Sequence, residues 1–324
     1  GDVWKKSIEL GRGEIEAKYG QKIEIIYEDS QMKPTDAATA ASKLINTNKV
    51  KAIIIGTSRE TLAAAPVAEQ SRVLMLAGGS SAEITKAGDY IFRVYPSDFY
   101  QGNNLADLAI KKGYKKMAVL AVADDYGQGI GDVFAKKFRE LGGQVVITET
   151  LMPEGVSDFR TQLTKISITK PQAVLLALYD RQSLLVLKQM KELDLSWPLL
   201  STETIKNPDT IKGNEVLFEG ILFASYVEPK TIEYEGFLAD YKAKYGVEAG
   251  PYAPGFFDNA QLILTALIES KGDVEKAKAW LYAVKDWHGA TGTINFDANG
   301  DVIGKSYTIY TVKNGQFVPY EKSD

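Results

Sequence analysis

The 324-residue chain contains no cysteine and only one histidine, His288. Without cysteine there are no disulfides, thiolate metal ligands or thiol nucleophiles. A single histidine cannot form a two-histidine metal motif, and no Gly-x-x-x-x-Gly-Lys phosphate-binding loop occurs. The sequence therefore offers little catalytic machinery, and we expect neither a metal nor a cofactor.

Long apolar runs and an excess of basic charge are also missing. No stretch approaches the ~18 to 20 apolar residues that cross a bilayer. The 38 Lys and Arg against 42 Asp and Glu give a net charge of −4, whereas nucleic-acid phosphates demand a basic face. No signal peptide is visible, so we expect a processed chain. The length predicts about two domains.

What the chain does contain is a regular alternation of short strands and amphipathic helices. Residues 52–55 and 73–76 are continuous apolar runs, typical of strands buried on both faces of a parallel sheet. A further strand is predicted at 23–27. A second series of strands and helices begins after Pro96. These βαβ repeats predict an α/β chain with two Rossmann-like lobes, each with a parallel sheet.

One segment resembles a catalytic motif. Gly78 to Ala82 follows a predicted buried strand, where a nucleophile elbow would place Ser80. The motif lacks its final glycine, and Ser80 would depend on His288 as the base. A serine hydrolase therefore stays an outside alternative, and we expect a protein that is not an enzyme.

Two loops of the first lobe suit a carboxylate ligand. They follow neighbouring strands, and glycines, hydroxyls and helix N-termini in such loops present hydrogen-bond donors. The candidates are Ser58, Thr61, Gly78, Gly79 and Ser80. Ordinary N-capping by the hydroxyl residues is the alternative interpretation. Arg59 could neutralise a ligand carboxylate or point to solvent.

Strand ends of the second lobe carry aromatic and acidic candidates. Tyr126 and Tyr179 could cover an apolar ligand. Glu203, which is followed by Thr204, could pair with an ammonium group. The alternative for Glu203 is a carboxylate on a surface loop.

Several segments, in this order, resemble the branched-chain (Leu/Ile/Val) amino-acid binding proteins of ABC importers, which have the type I periplasmic binding fold. The matching segments are 34–38, 61–66, 91–98, 125–127 and 292–297. The resemblance implies two α/β lobes joined by three hinge crossings: 1–96 plus 227–290, with its first strand apparently missing, and 97–226 plus 291–324. It also implies hinge closure around a small molecule, a periplasmic or extracytoplasmic location, permease subunits as partners, and a monomer.

The resemblance also assigns site residues. It places the first hydroxyl contact at Ser58, with Thr61 as the alternative because the Gly56 loop is shorter than in the family. It places a contact loop at 78–80, the cleft aromatics at Tyr126 and Tyr179, and the ammonium-binding acid at Glu203. Phe256 or Phe257 would close the side-chain pocket. The function expected is binding of an amino acid with an apolar or aromatic side chain. The alternatives are an aromatic or aliphatic carboxylate, and a ligand-sensing receptor.

Overall fold

A computed structural model describes residues 1–153 and 155–320. Residue 154 and residues 321–324, which the sequence predicts in the second lobe, lie outside the described part. The chain divides into two compact units, and it passes from one to the other three times. Unit 1 comprises Gly1–Ser97 and Glu228–Lys305, and unit 2 comprises Asp98–Val227 and the chain from Ser306 onward.

Unit 1 contains a three-stranded parallel sheet in the order β1-β2-β3, and a separate antiparallel pair, β9 and β10. Its strands are β1 Ala52–Ile55, β2 Leu74–Ala77, β3 Ile91–Arg93, β9 Trp287–Gly289 and β10 Gly292–Ile294. Its helices are α1 Asp2–Tyr19, α2 Pro34–Asn46, α3 Ser58–Ser71, α10 Ile232–Tyr245, α11 Ala253–Glu269 and α12 Val274–Tyr282.

The central strand β2 is fully buried, and α3 packs against this sheet through small residues. Ala64, Ala65 and Ala68 are completely buried in the core cluster that contains β2. The start of α3 is fixed by a capping box: the Thr57 hydroxyl accepts from the Glu60 amide, while the Glu60 carboxylate accepts from the Thr57 amide. The first residue of α3, Ser58, therefore has a defined position directly after β1.

The strand predicted at 23–27 does not form, and this prediction is wrong. A strand requires a hydrogen-bonding neighbour, and the backbone groups of Ile23 instead bind side chains of helix α1. The Ile23 amide donates to Glu16 Oε1 at 2.8 Å, and its carbonyl accepts from Arg12 at 3.1 Å. The Tyr27 hydroxyl donates to Glu9 at 2.7 Å. Within the described residues β1 is an edge strand, with β2 as its one ladder partner.

Unit 2 contains a seven-stranded sheet in the order β5-β4-β6-β7-β8-β11-β12, antiparallel at its last two strand pairs and otherwise parallel. Its strands are β4 Lys116–Val122, β5 Gln144–Leu151, β6 Ala173–Ala177, β7 Leu199–Thr202, β8 Leu222–Tyr226, β11 Tyr307–Lys313 and β12 Gln316–Pro319. Its helices are α4 Asp98–Lys111, α5 Asp125–Glu140, α6 Arg160–Ile168, α7 Asp180–Glu192, α8 Pro208–Ile211 and α9 Glu215–Phe218.

The strand order of unit 2 reverses at β4. The chain runs from β4 outward to β5, then crosses to the other side of β4 to form β6. In such sheets the loops after the two strands flank a crevice at the carboxyl edge, where ligands commonly bind. Apolar cores on both faces explain the continuous apolar strands. These two α/β units with mostly parallel sheets confirm the predicted fold class.

The third boundary between the units differs from the predicted one. Residues 291–305 belong to unit 1, whereas the sequence placed them in the second lobe. Arg93 is completely buried, and its guanidinium forms a bidentate pair with Asp301 at 3.0 and 2.6 Å. Its amide also donates to the Gly300 carbonyl at 3.0 Å. A buried guanidinium requires a partner, so this contact holds the segment beside β3.

None of the helices within the described ranges combines the length and the apolarity needed to cross a bilayer.

Candidate ligand-binding site

In unit 1 the loops after β1 and β2 meet at the carboxyl edge of the sheet. The Ser58 hydroxyl oxygen accepts from the amides of Ser80 and Ser81, both at 3.1 Å. Ser58 is nearly buried, and in the described hydrogen bonds its Oγ acts only as an acceptor. Its hydroxyl proton is therefore available for an acceptor such as a carboxylate oxygen.

Glycines permit this close approach of the two loops. A Cβ on Gly79 would lie 2.4 Å from the Ser58 amide nitrogen, and a Cβ on Gly78 would lie 2.7 Å from the Gly56 carbonyl oxygen. Any side chain at these positions would push the loops apart. The predicted residues Ser58, Gly78, Gly79 and Ser80 are thus brought together in one unit.

Thr61 and Arg59 occupy different surroundings. Thr61 is completely buried, and its hydroxyl donates to the Thr57 carbonyl at 2.7 Å, one turn earlier in the chain. It closes the first turn of α3, while Ser58 lies at the loop junction. Arg59 is half-buried at the start of the same helix, and its contact with a ligand stays a prediction.

An aromatic pair lies against the two glycine loops. Phe256 would contact a Cβ on Gly78 at 2.4 Å, and Trp4 would contact a Cβ on Gly56 at 2.2 Å. The two rings stack with centroids 4.9 Å apart and an interplanar angle of 21°. Trp4 is not among the predicted site residues. No local sequence signal identifies it, because its position depends on the packing of α1 against the loop after β1.

The two phenylalanines predicted to close the side-chain pocket lie in different surroundings. Phe256 lies beside the Gly78 loop, whereas Phe257 packs 4.9 Å from Phe237, in a core cluster of α1, α10 and α11. Asn259, one turn after Phe256, donates to the Ala77 carbonyl at the end of β2 at 3.4 Å. Asn259 was also missed, because a helix residue 182 positions away in sequence gives no local signal.

In unit 2 the loops after β4 and β6 carry the two predicted tyrosines. The rings of Tyr126 and Tyr179 stack with centroids 5.4 Å apart and an interplanar angle of 17°. The Tyr126 hydroxyl donates to Thr202 Oγ1 at 2.8 Å, and the Tyr179 hydroxyl donates to Asp124 Oδ2 at 2.7 Å. These bonds fix both rings at the crevice where the strand order reverses.

Asp124 also explains the glycine-rich start of α5. Its second carboxylate oxygen accepts from the amides of Tyr126 and Gly127 at 3.1 and 3.0 Å. This is an ordinary N-cap, and it places an acidic side chain where a dinucleotide-binding loop would hold a pyrophosphate.

Glu203 and Thr204 lie in a 3-10 turn directly after β7. The Thr204 hydroxyl donates to the Leu178 carbonyl at 2.6 Å and lies 2.8 Å from Thr202 Oγ1. These contacts connect the turn to the ends of β6 and β7. Glu203 is buried, with 8% of its surface exposed, so it is not a carboxylate on a surface loop.

The catalytic alternative gains no support from the geometry. Ser80 lies at the Ser58 junction, while His288 is an exposed residue of β9, opposite Thr293 in β10. No hydrogen bond between the described residues joins Ser80 to His288.

Comparisons with known proteins identify the family of the chain. A family model described as periplasmic binding protein matches residues 1–316. The leucine-, isoleucine-, valine-, threonine- and alanine-binding protein of Pseudomonas aeruginosa is 27% identical over 303 residues, covering 90% of this chain and 79% of that protein. The leucine binding protein LivK of Thermotoga maritima is 29% identical, with a TM-score of 0.86, covering 98% of this chain and 94% of that one.

A solute binding protein of an ABC transporter from Rhodopseudomonas palustris, solved in complex with 3,4-dihydroxybenzoic acid, is 25% identical. Its TM-score is 0.82, and the match covers 98% of this chain and 92% of that one. The chain therefore belongs to the periplasmic binding protein family, whose members bind solutes and are not enzymes.

Proposed function

We propose that this protein is the extracytoplasmic solute-binding component of an ABC importer and that it closes around an amino acid with an apolar or aromatic side chain. The observation that carries this proposal is that each unit presents ligand-binding chemistry at its strand ends. Unit 1 offers hydroxyl and glycine loops, and unit 2 offers a tyrosine pair and a buried carboxylate.

The loops of unit 1 suit the carboxylate of the ligand. Ser58 lies at the N-terminus of the 14-residue helix α3, where the helix dipole and unpaired amides favour an anion. Its hydroxyl proton adds a donor, and Gly79 allows the loop after β2 to lie directly against Ser58. Phe256 and Trp4 provide an apolar surface beside these donors for the ligand side chain.

The strand ends of unit 2 suit the rest of an amino acid. The carboxylate of Glu203 would pair with the ammonium group, and a charge-assisted hydrogen bond of this kind is stronger than a neutral one. Tyr126 and Tyr179 would cover the apolar side chain with two rings that are already fixed. Because these rings lose little freedom on binding, their contribution to affinity is not offset by ordering.

An aromatic carboxylate is the second candidate ligand. Arg59 at the start of α3 favours it, because a guanidinium can bind a carboxylate in a bidentate manner. The relative from Rhodopseudomonas palustris that binds 3,4-dihydroxybenzoic acid supports the same possibility. Such a ligand has no ammonium group, so Glu203 would contribute nothing to its affinity.

A thermal-shift screen separates the two ligand classes, since a ligand bound only by the native state raises stability by an amount that grows with the ratio of its concentration to its Kd. The panel contains L-leucine, L-isoleucine, L-valine, L-phenylalanine, benzoate and 3,4-dihydroxybenzoate. We expect a shift with at least one amino acid. A shift confined to the aromatic acids would overturn the amino-acid proposal, and no shift with any compound would contradict both ligand classes.

Two variants test the roles of the charged side chains of Glu203 and Arg59 in ligand binding. Glu203→Gln keeps the size of the side chain, and we expect a roughly 100-fold weaker affinity for the amino acid, since a charged hydrogen bond is worth about 1.5–3 kcal/mol. If the ligand is an amino acid that Arg59 does not contact directly, Arg59→Gln should change its affinity by less than about threefold. The opposite ranking would favour the carboxylate ligand.

The same proposal covers the partners. We infer that the protein acts as a monomer outside the cytoplasm and that permease subunits recognise its closed form. Hinge closure of this kind would place its backbone rotations in a few residues at the three chain crossings. Light scattering with and without ligand tests the monomer, and ligand-dependent capture by the cognate permease tests recognition.

A further inference from the structure

Asp258 on α11 is a completely buried carboxylate that holds the 289–291 turn. It accepts from the amides of Ala290 and Thr291 at 2.8 and 2.7 Å, and from the Thr291 hydroxyl at 2.6 Å. A Cβ on Gly289 would lie 2.6 Å from Asp258 Oδ2, so the turn closes tightly over the carboxylate.

The same turn binds Lys305, the last residue of unit 1 before the third crossing. The Lys305 ammonium donates to the Thr291 carbonyl at 2.5 Å and lies 3.4 Å from the Thr291 hydroxyl. The crossing thus starts from a residue that is fixed to α11 through Thr291 and Asp258.

Helix α11 also contacts the candidate ligand loop. Phe256 packs on Gly78, and Asn259 donates to the Ala77 carbonyl. Asp258 lies between these two residues in sequence. One turn of α11 therefore connects the loop that would contact the ligand with the segment that leads out of unit 1.

We propose that Asp258, acting through Thr291 and Lys305, is a positioning residue that fixes the third crossing and so sets the balance between the open and closed forms. This inference rests on the proposed function, because it assigns a role in ligand-linked closure. Closure free energy is part of the measured affinity, so a residue that biases this balance changes affinity without touching the ligand.

The contacts among Asp258, Thr291 and Lys305, called the anchor below, are sensitive to pH because Asp258 and Lys305 are ionisable. Burial raises the pKa of the Asp258 carboxyl to about 6, and burial lowers the pKa of the Lys305 ammonium to about 8. Asp258 also interacts with the charge of Glu14 in α1, whose own pKa is raised mainly by burial. Below about pH 6 Asp258 becomes neutral, and its hydrogen bonds from Ala290 and Thr291 lose their charge assistance and weaken.

The test measures the distance between the units directly. Because the chain has no cysteine, Lys18→Cys in unit 1 and Lys188→Cys in unit 2 give two unique attachment points for a fluorescence energy-transfer pair. Transfer is recorded without ligand and with L-leucine between pH 5 and 8, and L-leucine affinity is measured by calorimetry.

Four variants are compared in this labelled protein. Asp258→Asn and Lys305→Met remove the charges of the anchor, and Lys305→Arg restores a cation. Thr265→Val is the matched control, since Thr265 is a buried residue of the same helix two turns further along.

We expect Asp258→Asn and Lys305→Met to change transfer in the absence of ligand and to weaken L-leucine binding about fivefold or more. Lys305→Arg and Thr265→Val should stay within about twofold of the parent, the range of an independent site. Transfer in the parent should change between pH 5 and 7, and this change should disappear in Asp258→Asn.

Unchanged energy transfer without ligand in a folded Asp258→Asn or Lys305→Met protein would overturn the inference. If Asp258→Asn does not fold, the result for Lys305→Met is used instead. Failure of the proposed function gives a different result. If the parent binds no compound of the panel, the ligand-free transfer of the variants still decides the role of Asp258.

Discussion

A Cβ on Gly79 would lie 2.4 Å from the amide nitrogen of Ser58, so the two candidate ligand loops approach more closely than any other residue type allows. We predict that Gly79→Ala separates the loops and weakens ligand binding at least tenfold. It should also cost about 1–3 kcal/mol of stability, as overpacking of a tight site does. Calorimetry with the best ligand of the panel and urea unfolding measure the two effects.

Gly236→Ala is the matched control for this substitution. Gly236 lies in α10, and a Cβ there would meet no atom within 4 Å. The alanine should stabilise the protein by about 0.5–1 kcal/mol through helix propensity. Full binding by Gly79→Ala would show that the ligand does not depend on the contact between the loops.

The hydroxyl of Tyr126 should contribute less to ligand affinity than its ring. Tyr126→Phe removes the buried hydrogen bond to Thr202, and we predict a loss of about 1 kcal/mol in the free energy of unfolding. Ligand affinity should fall less than threefold, because the ring and its stack on Tyr179 remain. Tyr126→Ala should abolish measurable binding.

Tyr114→Phe serves as the control, since no hydrogen bond of its hydroxyl occurs within the described part of the chain. Its unfolding free energy should match that of the parent within about 0.5 kcal/mol, as for other surface changes. Equal affinity in Tyr126→Ala and the parent would remove the tyrosine pair from the site.

The ion pair of Arg93 with Asp301 should be among the most sensitive contacts of unit 1. Arg93 also donates to the Ser81 carbonyl at 2.7 Å, so it supports the ligand loop as well. Asp301→Ala leaves a buried guanidinium without its carboxylate, which costs about 3–5 kcal/mol. Urea unfolding followed by far-UV circular dichroism measures this loss.

An exposed ion pair provides the comparison. Lys86 and Glu83 lie 2.7 Å apart, and more than 60% of each side chain is exposed. Lys86→Ala should change stability by less than about 1 kcal/mol. A similar small loss in Asp301→Ala would mean that residues 291–305 are not held by Arg93.

Asp258 predicts a specific pH dependence of stability. Its pKa is about 6 in the folded protein against an ordinary value of 3.8. The folded state therefore binds more protons than the unfolded state between these values, and stability falls as the pH rises from about 4 to 6. The full effect is roughly 3 kcal/mol, from about two pKa units.

This contribution is isolated by subtracting the unfolding free energies of Asp258→Asn from those of the parent across the same pH range. Glu14 has a raised pKa as well, and burial, the largest cause of that shift, is common to both proteins. The difference should fall with rising pH and become constant above about pH 7. A constant difference throughout would mean that Asp258 does not titrate in this range.

Local sequence patterns were sufficient to predict the elements that depend on hydrophobic periodicity and on turn residues such as glycine and proline. The apolar runs of β1 and β2 predicted strands of a parallel sheet. β2 is buried along its whole length as predicted, whereas β1, an edge strand within the described residues, is only partly buried. The loops that follow them were found for the same reason. Strand ends at one edge of a sheet necessarily lie near each other, so the pairing of Ser58 with Ser80 followed from topology.

Contacts between segments that are distant in sequence could not be predicted from local patterns. Segment 23–27 has the composition of a strand, yet the backbone of Ile23 binds the side chains of Arg12 and Glu16 in α1. The assignment of 291–305 to unit 1 depends on Arg93, which lies 208 residues from Asp301. Neither partner can be identified from residues nearby in the chain.

The sequence by itself determined the class of the protein, because hydrophobic periodicity, strand-end glycines and collinear motifs are visible in the amino-acid sequence alone. Only the tertiary structure separated Phe256 from Phe257, placed Trp4 against Gly56, and brought Asp258 under the 289–291 turn. Adjacent residues on a helix point in different directions, and which direction meets the ligand loop is decided by packing between elements far apart in sequence.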